Sequence, residues 1–194
     1  PKGFVFDEVY YVDGARDFLK HGVEVSGSKP EFIVHPPVGK WLIAGGIELF
    51  GDNEFGWRFA SAIIGTLLIL LFARLVHVLF YSPLVTAIAA FLMACDGLLL
   101  VHSRTALLDL FLTFFVLLAV YLWHRERHWL AAISIGLAMG CKWSAIYFLV
   151  VMFFVSLYKI FSEHPSKGLI RPTVMKFIQY GFLPAIVYIS TWTG

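Results

Sequence analysis

From Phe59 to Trp192 the chain is a succession of apolar stretches broken by few charged residues, and that pattern leaves few folds open. Residues 59–80, 83–101 and 106–123 are each long enough, or nearly so, to cross a hydrocarbon core of about 30 Å. Residues 129–161 would make one helix of about 50 Å at 1.5 Å per residue, so the run divides in two where Lys142 interrupts it, giving 129–141 and 143–161. A last stretch covers 177–192, with Pro184 as a candidate kink. The spacing predicts an all-α polytopic membrane bundle of about six spans. Composition agrees: 59% of residues are hydrophobic, 14% are charged, and mean hydropathy is +0.79, more apolar surface than a soluble domain of this length can hide.

Loop charges orient the bundle. With that span count one side receives Arg74, Arg125, Arg127, Lys159, Lys167, Arg171 and Lys176, and the short loops of the other receive Arg104 and Lys142. The positive-inside rule makes the first side cytoplasmic. Fusing 129–161 into one helix would destroy that asymmetry. The orientation gathers Asp7, Glu8, His35, Lys40, Arg58, His102, Arg104, Asp109 and Lys142 at or near the extracytoplasmic face, although they lie far apart in sequence.

Residues 1–58 form a polar first loop with nine acidic and six basic residues. Helical spacing is expected over 10–20, and Gly22 to Pro30 reads as loop. A helix over 37–50, with Pro37 in its first turn, is about 21 Å long, too short to span, and Trp41 suits an interfacial position. The chain opens at Pro1 without a methionine and stops at Gly194, which suggests a piece of a longer membrane protein. Cys95 and Cys141 fall inside apolar segments and imply no disulfide framework. A net charge of +2 with scattered basic residues argues against nucleic acid. Glycine-rich nucleotide loops are absent from the sequence, so a nucleotide-sugar donor is unsupported.

Adjacent carboxylates at Asp7 and Glu8 suit a general base with a neighbour that holds an acceptor hydroxyl. Tyr10, Tyr11 and the rigid His35-Pro36-Pro37 turn supply material for a pocket around them; two solvated loop acids are the plain alternative. Arg58, Arg104 and Lys142 stand at the ends of different spans, where they suit an anionic headgroup or ordinary interfacial snorkelling. Asp109 lies one turn inside its span, placed to accept from Arg104 or to line the site. Asp96 suits a helix cap or bend. His102 among scattered acids is a poor metal signature, and neither a metal nor another cofactor is implied.

Phe6-Asp7-Glu8-Val9-Tyr10-Tyr11, His35-Pro36-Pro37-Val38-Gly39-Lys40, Phe55-Gly56-Trp57-Arg58-Phe59, Ser103-Arg104-Thr105-Ala106-Leu107-Leu108-Asp109 and Gly140-Cys141-Lys142-Trp143 together resemble the protein O-mannosyltransferases, most closely their actinobacterial branch. The resemblance covers nearly the whole chain. It implies the GT-C bundle architecture, a polyprenyl- or dolichyl-phosphate mannose donor, Ser/Thr hydroxyls of secreted proteins as acceptors, and inversion at the sugar. Carried over by position, Asp7 is the expected catalytic base and Glu8 the expected acceptor or active-site partner. Arg58, Arg104 and Lys142 are expected at the donor phosphate, and Tyr10, His35, Pro36, Lys40 and Asp109 in the pocket. The family pattern also leads one to expect a span before Pro1 and more beyond Gly194. Two rivals stand beside this reading: another transferase of the same architecture, such as one that moves aminoarabinose to lipid A, and a transporter using Asp96 and Asp109 as coupling sites.

Overall fold

The computed structural model describes residues 2–26, 29–30, 34–163 and 168–193; Pro1, Lys167 and Gly194 lie outside the described residues, as does part of the 22–30 loop. The first loop builds α1 (Glu8–His21), a short ribbon of β1 (Val25–Ser26) and β2 (Lys29–Pro30), and α2 (Val38–Phe50). There follow α3 (Glu54–Phe80), α4 (Pro83–Ala94), α5 (Gly97–His102), α6 (Leu108–His124), α7 (His128–Cys141) and α8 (Ala145–Glu163). The chain closes with α9 (Ile170–Phe177), a π-helical turn (Ile178–Phe182) and α10 (Leu183–Ser190). The ribbon pairs Val25 with Pro30, antiparallel; the other regular elements among the described residues are helical.

Local chemistry sets the helix ends. Asn53 caps α3 by accepting from the Phe55 and Gly56 N–H groups at 3.0 and 3.1 Å. Ser82 caps α4 ahead of Pro83, whose missing N–H is harmless in a first turn. Residues 83–101 are not the single helix that their hydropathy predicts. The chain leaves the helix at Cys95, and the Asp96 carboxylate restarts it as α5 by accepting from the Leu99 N–H at 2.8 Å. Lys142 to Ser144 separate α7 from α8. Pro184 has no N–H to send to the Tyr180 carbonyl, and the backbone widens to a π turn immediately before it.

Two helices, Glu54–Phe80 and Ala145–Ser162, are long and apolar enough to cross a membrane; α4, α6 and α7 are shorter apolar helices. The buried core lies between α6, α7 and α10 and under α2, with Leu108, Phe111, Ala119, Ala132, Ile135 and Ala138 almost fully enclosed. The Ser134 hydroxyl donates to the Phe115 carbonyl at 2.8 Å and ties α6 to α7. By contrast α4 and α5 bury no residue and present Leu84, Ile88, Phe91 and Leu92 outward. At the polar end α2 descends onto α6. A Cβ on Gly39 would stand 2.5 Å from the Leu108 side chain, so glycine lets the first turn of α2 touch the start of α6.

Candidate active site

The site is assembled where residues 3–8 turn into α1. Phe6 sits in the left-handed region at φ 53°, an uncommon conformation for a bulky residue, and the sharp turn presents two adjacent carboxylates to different surroundings. Glu8 points inward on the helix face that also buries Val12 and Ala15. Its carboxylate is fully buried. One oxygen accepts from Arg58 Nε at 2.7 Å and the Ala106 N–H at 2.8 Å. The other accepts from Arg58 Nη2 at 2.6 Å and the Val5 N–H at 2.9 Å. Burial pushes the carboxyl pKa up, but the hydrogen bonds from Arg58, Ala106 and Val5 outweigh it, and the group ends below its ordinary value. Arg58 Nη2 also donates to the Gly3 carbonyl at 2.6 Å. This knot joins the first loop, the start of α3 and the residues before α6.

Glu8, expected as an acceptor or active-site partner, thus has both carboxylate oxygens occupied by donors among the described residues. Asp7 has the opposite surroundings. It is half-buried, its carboxylate has no hydrogen-bond partner among the described residues, and it lines a cavity of about 430 Å³. Tyr10, Tyr11, His35 and Lys40 line the same cavity. Tyr10 stands 71% exposed at the rim, whereas Tyr11 is buried and its ring lies 5.8 Å from that of His35. Burial, then Lys142 and Lys40, push His35 below its ordinary pKa, which keeps the imidazole neutral at neutral pH. Pro36 is fully buried and fixes the turn that carries His35. Lys40 is buried too and donates to Glu24 and, at 3.4 Å, to the His35 carbonyl. It fastens the wall of the cavity rather than offering a free charge within it.

The remaining cations separate. Lys142 donates to Asp109 at 2.8 Å, so Asp109 answers Lys142 and not Arg104. The antiparallel pair α6 and α7 brings these two to one end of the bundle. Arg104 is exposed and makes no side-chain ion pair or hydrogen bond among the described residues. It lines a second cavity of about 380 Å³ with Arg58, Glu54, Phe59 and Ser103. Asp96 and His102 line a third, of about 230 Å³, whose wall includes Asp109 and Leu68.

The sequence reading passes over Glu24, Glu54 and Asp52. Glu54 accepts from the Gly3 N–H, and Asp52 accepts from Arg16 Nε at 2.9 Å and Trp57 Nε1 at 2.6 Å. Arg16 holds the Asp52 carboxyl below its ordinary range. These contacts brace α1 against the start of α3. The one available signal is Trp57, adjacent to Arg58 in a polar-to-apolar junction.

A model of the family described as dolichyl-phosphate-mannose-protein mannosyltransferase matches residues 34–192. The chain belongs to that family. The match takes in His35, Lys40, Arg58, Arg104, Asp109 and Lys142 and begins after the Asp7-Glu8 pair. The chain is 37% identical to the polyprenol-phosphate-mannose–protein mannosyltransferase of Mycobacterium tuberculosis, over 97% of this chain and 43% of that protein. It is 34% identical to the protein of the same name from Mycolicibacterium smegmatis, over 97% of this chain and 44% of that one. An undecaprenyl phosphate-alpha-4-amino-4-deoxy-L-arabinose arabinosyl transferase of Pseudomonas aeruginosa is 36% identical over 69% of this chain and 26% of its own length. The chain thus spans less than half the length of the curated relatives it matches. No solved structure matches it. Family membership and the apolar helices together make this a membrane protein.

Proposed function

We propose that the protein transfers mannose from a polyprenyl-phosphate donor to Ser/Thr hydroxyls of proteins, by single displacement with inversion, at the extracytoplasmic face of the plasma membrane. One observation carries the reading. Of two adjacent carboxylates, Glu8 is locked by four donors while Asp7 is left without a partner on a cavity wall. Asp7 takes the acceptor hydroxyl's proton as its oxygen attacks the anomeric carbon. The bond from that carbon to the phosphate oxygen breaks, and the lipid phosphate leaves with the electron pair. Neutral His35 puts no competing positive charge beside the base. Glu8 acts by holding Arg58 and the loop that carries Asp7.

Cations are what a departing phosphate needs. Arg104 and Arg58 share one cavity, and Lys142 is held by Asp109 at the end of α7. The phosphate is assigned to the cavity that Arg104 lines, where its guanidinium has no side-chain partner among the described residues. The GT-C architecture belongs to the same reading. The outward orientation rests on the basic residues of the opposite loops.

The test uses membranes carrying the intact protein, polyprenyl-phosphate mannose labelled in the sugar, and a Ser/Thr-rich peptide. Labelled mannose should appear on the peptide with inverted anomeric configuration. Transfer from an aminoarabinose donor to lipid A, with none of mannose to peptide, would replace this reading by that of the arabinosyl transferase relatives.

A further inference from the structure

The cavity that holds Arg58 and Arg104 continues along α3. It adjoins another of about 280 Å³, and Ala62, Ser103 and Arg104 belong to the walls of both. Gly65, Thr66 and Ile69 of α3, Ala94 of α4, and Leu99 and Leu100 of α5 complete the second one. Arg58, Ala62, Thr66 and Ile69 succeed one another at helical spacing, so they form one stripe of α3. That stripe is about 16 Å long at 1.5 Å per residue. A Cβ on Gly65 would stand 2.6 Å from the Ser103 Cβ, so glycine lets the end of α5 rest on α3 beside Arg104. The result is a groove between α3 and α5 in a helix long enough to cross a membrane.

The groove changes character along its length. At one end Arg58 is bound to Glu8, Glu54 accepts from the Gly3 N–H, and Arg104 has no side-chain partner among the described residues. Beyond them the lining is apolar, and its two hydroxyls are turned to their own helices. Thr66 Oγ1 donates to the Ala62 carbonyl at 2.9 Å and Ser103 Oγ to the Leu100 carbonyl at 3.1 Å. An occupant that fits is anionic at one end and hydrocarbon over the rest. A sugar or a peptide strand would leave its polar groups unpaired there. The neighbouring cavity of about 230 Å³ suits hydrocarbon less, since Asp96, His102 and Asp109 line it.

We propose that the groove between α3 and α5 holds the polyprenyl chain of the donor, with the phosphate at Arg104. The proposal rests on the reading of the protein as a polyprenyl-phosphate sugar transferase and adds to it the bed of the lipid. Bilayer tails are as apolar as the groove, so burial of the chain gains little in itself. The groove acts by shape: it aligns the chain along α3 and so aims the phosphate at Arg104.

The experiment measures transfer from two mannose donors, one with a long polyprenyl chain and one with a single isoprene unit, in membranes carrying the intact protein. Thr66→Trp fills the groove one turn beyond Ala62. It should raise KM for the long donor about tenfold, the weight of an overpacked contact, and leave the single-isoprene donor unchanged, which also shows that the variant is folded. Ile88→Trp, on the outward face of α4, should alter neither. In the wild-type protein a polyprenyl phosphate with a diazirine in its chain should label residues 62–69 or 94–100, and unlabelled polyprenyl phosphate should compete where excess phospholipid does not. Wild-type use of both donors by Thr66→Trp, or a label outside the groove, overturns the assignment. So does competition by phospholipid, which makes the occupant an ordinary bilayer lipid. A loss shared equally by both donors is an effect on folding, and the label then decides alone. If the wild-type protein transfers no mannose while the label stays in the groove and polyprenyl phosphate displaces it, the mannosyl reading fails and the lipid bed stands.

Discussion

Replacing Glu8 by glutamine separates a structural carboxylate from a chemical one. The side chains of Glu8 and Arg58 are 0% and 10% exposed, so the pair is almost wholly withdrawn from solvent. Glutamine preserves the shape, but one acceptor oxygen becomes an NH2 group. That group must then face either Arg58 Nη2 and the Val5 N–H or Arg58 Nε and the Ala106 N–H. Removing one partner of a buried pair destabilises by about 3–5 kcal/mol, and the conserved shape of glutamine places this variant near the lower end. That is a large share of a total stability of roughly 5–15 kcal/mol. The pair also leaves a mark in pH. Because the folded pKa of Glu8 lies below the ordinary value of about 4.3, its contribution is complete above that value and is lost as pH falls through the lower folded one. Thermal inactivation in detergent, followed from pH 7 down to pH 3, reads both effects. Glu8→Gln should melt well below wild type at neutral pH and lack part of the acid-induced loss, Asp52 retaining its own. Wild-type stability in Glu8→Gln, coupled with lost transfer, would refute the reasoning and return Glu8 to the chemistry.

Two further predictions concern the donor and the topology. Arg104→Ala should weaken binding of the polyprenyl-phosphate donor about tenfold, the loss of one charge-assisted contact, without lowering thermal stability, since no protein group among the described residues answers it; unchanged donor affinity in a binding titration would remove Arg104 from the phosphate. Single cysteines at Lys20 and Glu126, in a background without Cys95 and Cys141, should react with an impermeant maleimide from opposite sides of the membrane, and labelling of both from one side would contradict the orientation.

What could be read from the sequence depended on how local each cause was. The first helix, α2 and the interruption at Lys142 follow from periodicity, a proline turn and a charge within an apolar run. The break at Asp96 was available in principle, as an aspartate before a glycine is a capping signal, but hydropathy averages across it. The separation of Asp7 from Glu8 was also half-written: Glu8, Val12 and Ala15 fall on one helical face, and only Val12 and Ala15 are apolar. No pattern in the sequence announces that Arg58 closes over Glu8, because the partners are brought together by packing of α1 on α3. The pairing of Asp109 with Lys142 follows from an antiparallel α6 and α7, which puts the start of one beside the end of the other. Proximity in sequence suggested Arg104 instead, yet Leu107 is extended and carries Asp109 away from it. Glu24 and Lys40 meet through the loop between α1 and α2, which no periodic signal specifies.

The most direct test of the central claim is the rate of mannosyl transfer by Asp7→Asn, measured with donor affinity in the same membranes. Asparagine keeps the size of the side chain and removes the basic oxygen. No ion pair or hydrogen bond to the Asp7 side chain is broken among the described residues, so stability should be unchanged. Transfer should fall by a factor of about 10² to 10⁴, the usual weight of a general base, while donor affinity stays the same or rises as a nearby negative charge is lost. Near-normal turnover in Asp7→Asn would contradict the account and leave the free carboxylate oxygen of Asp109 as the next candidate for the base.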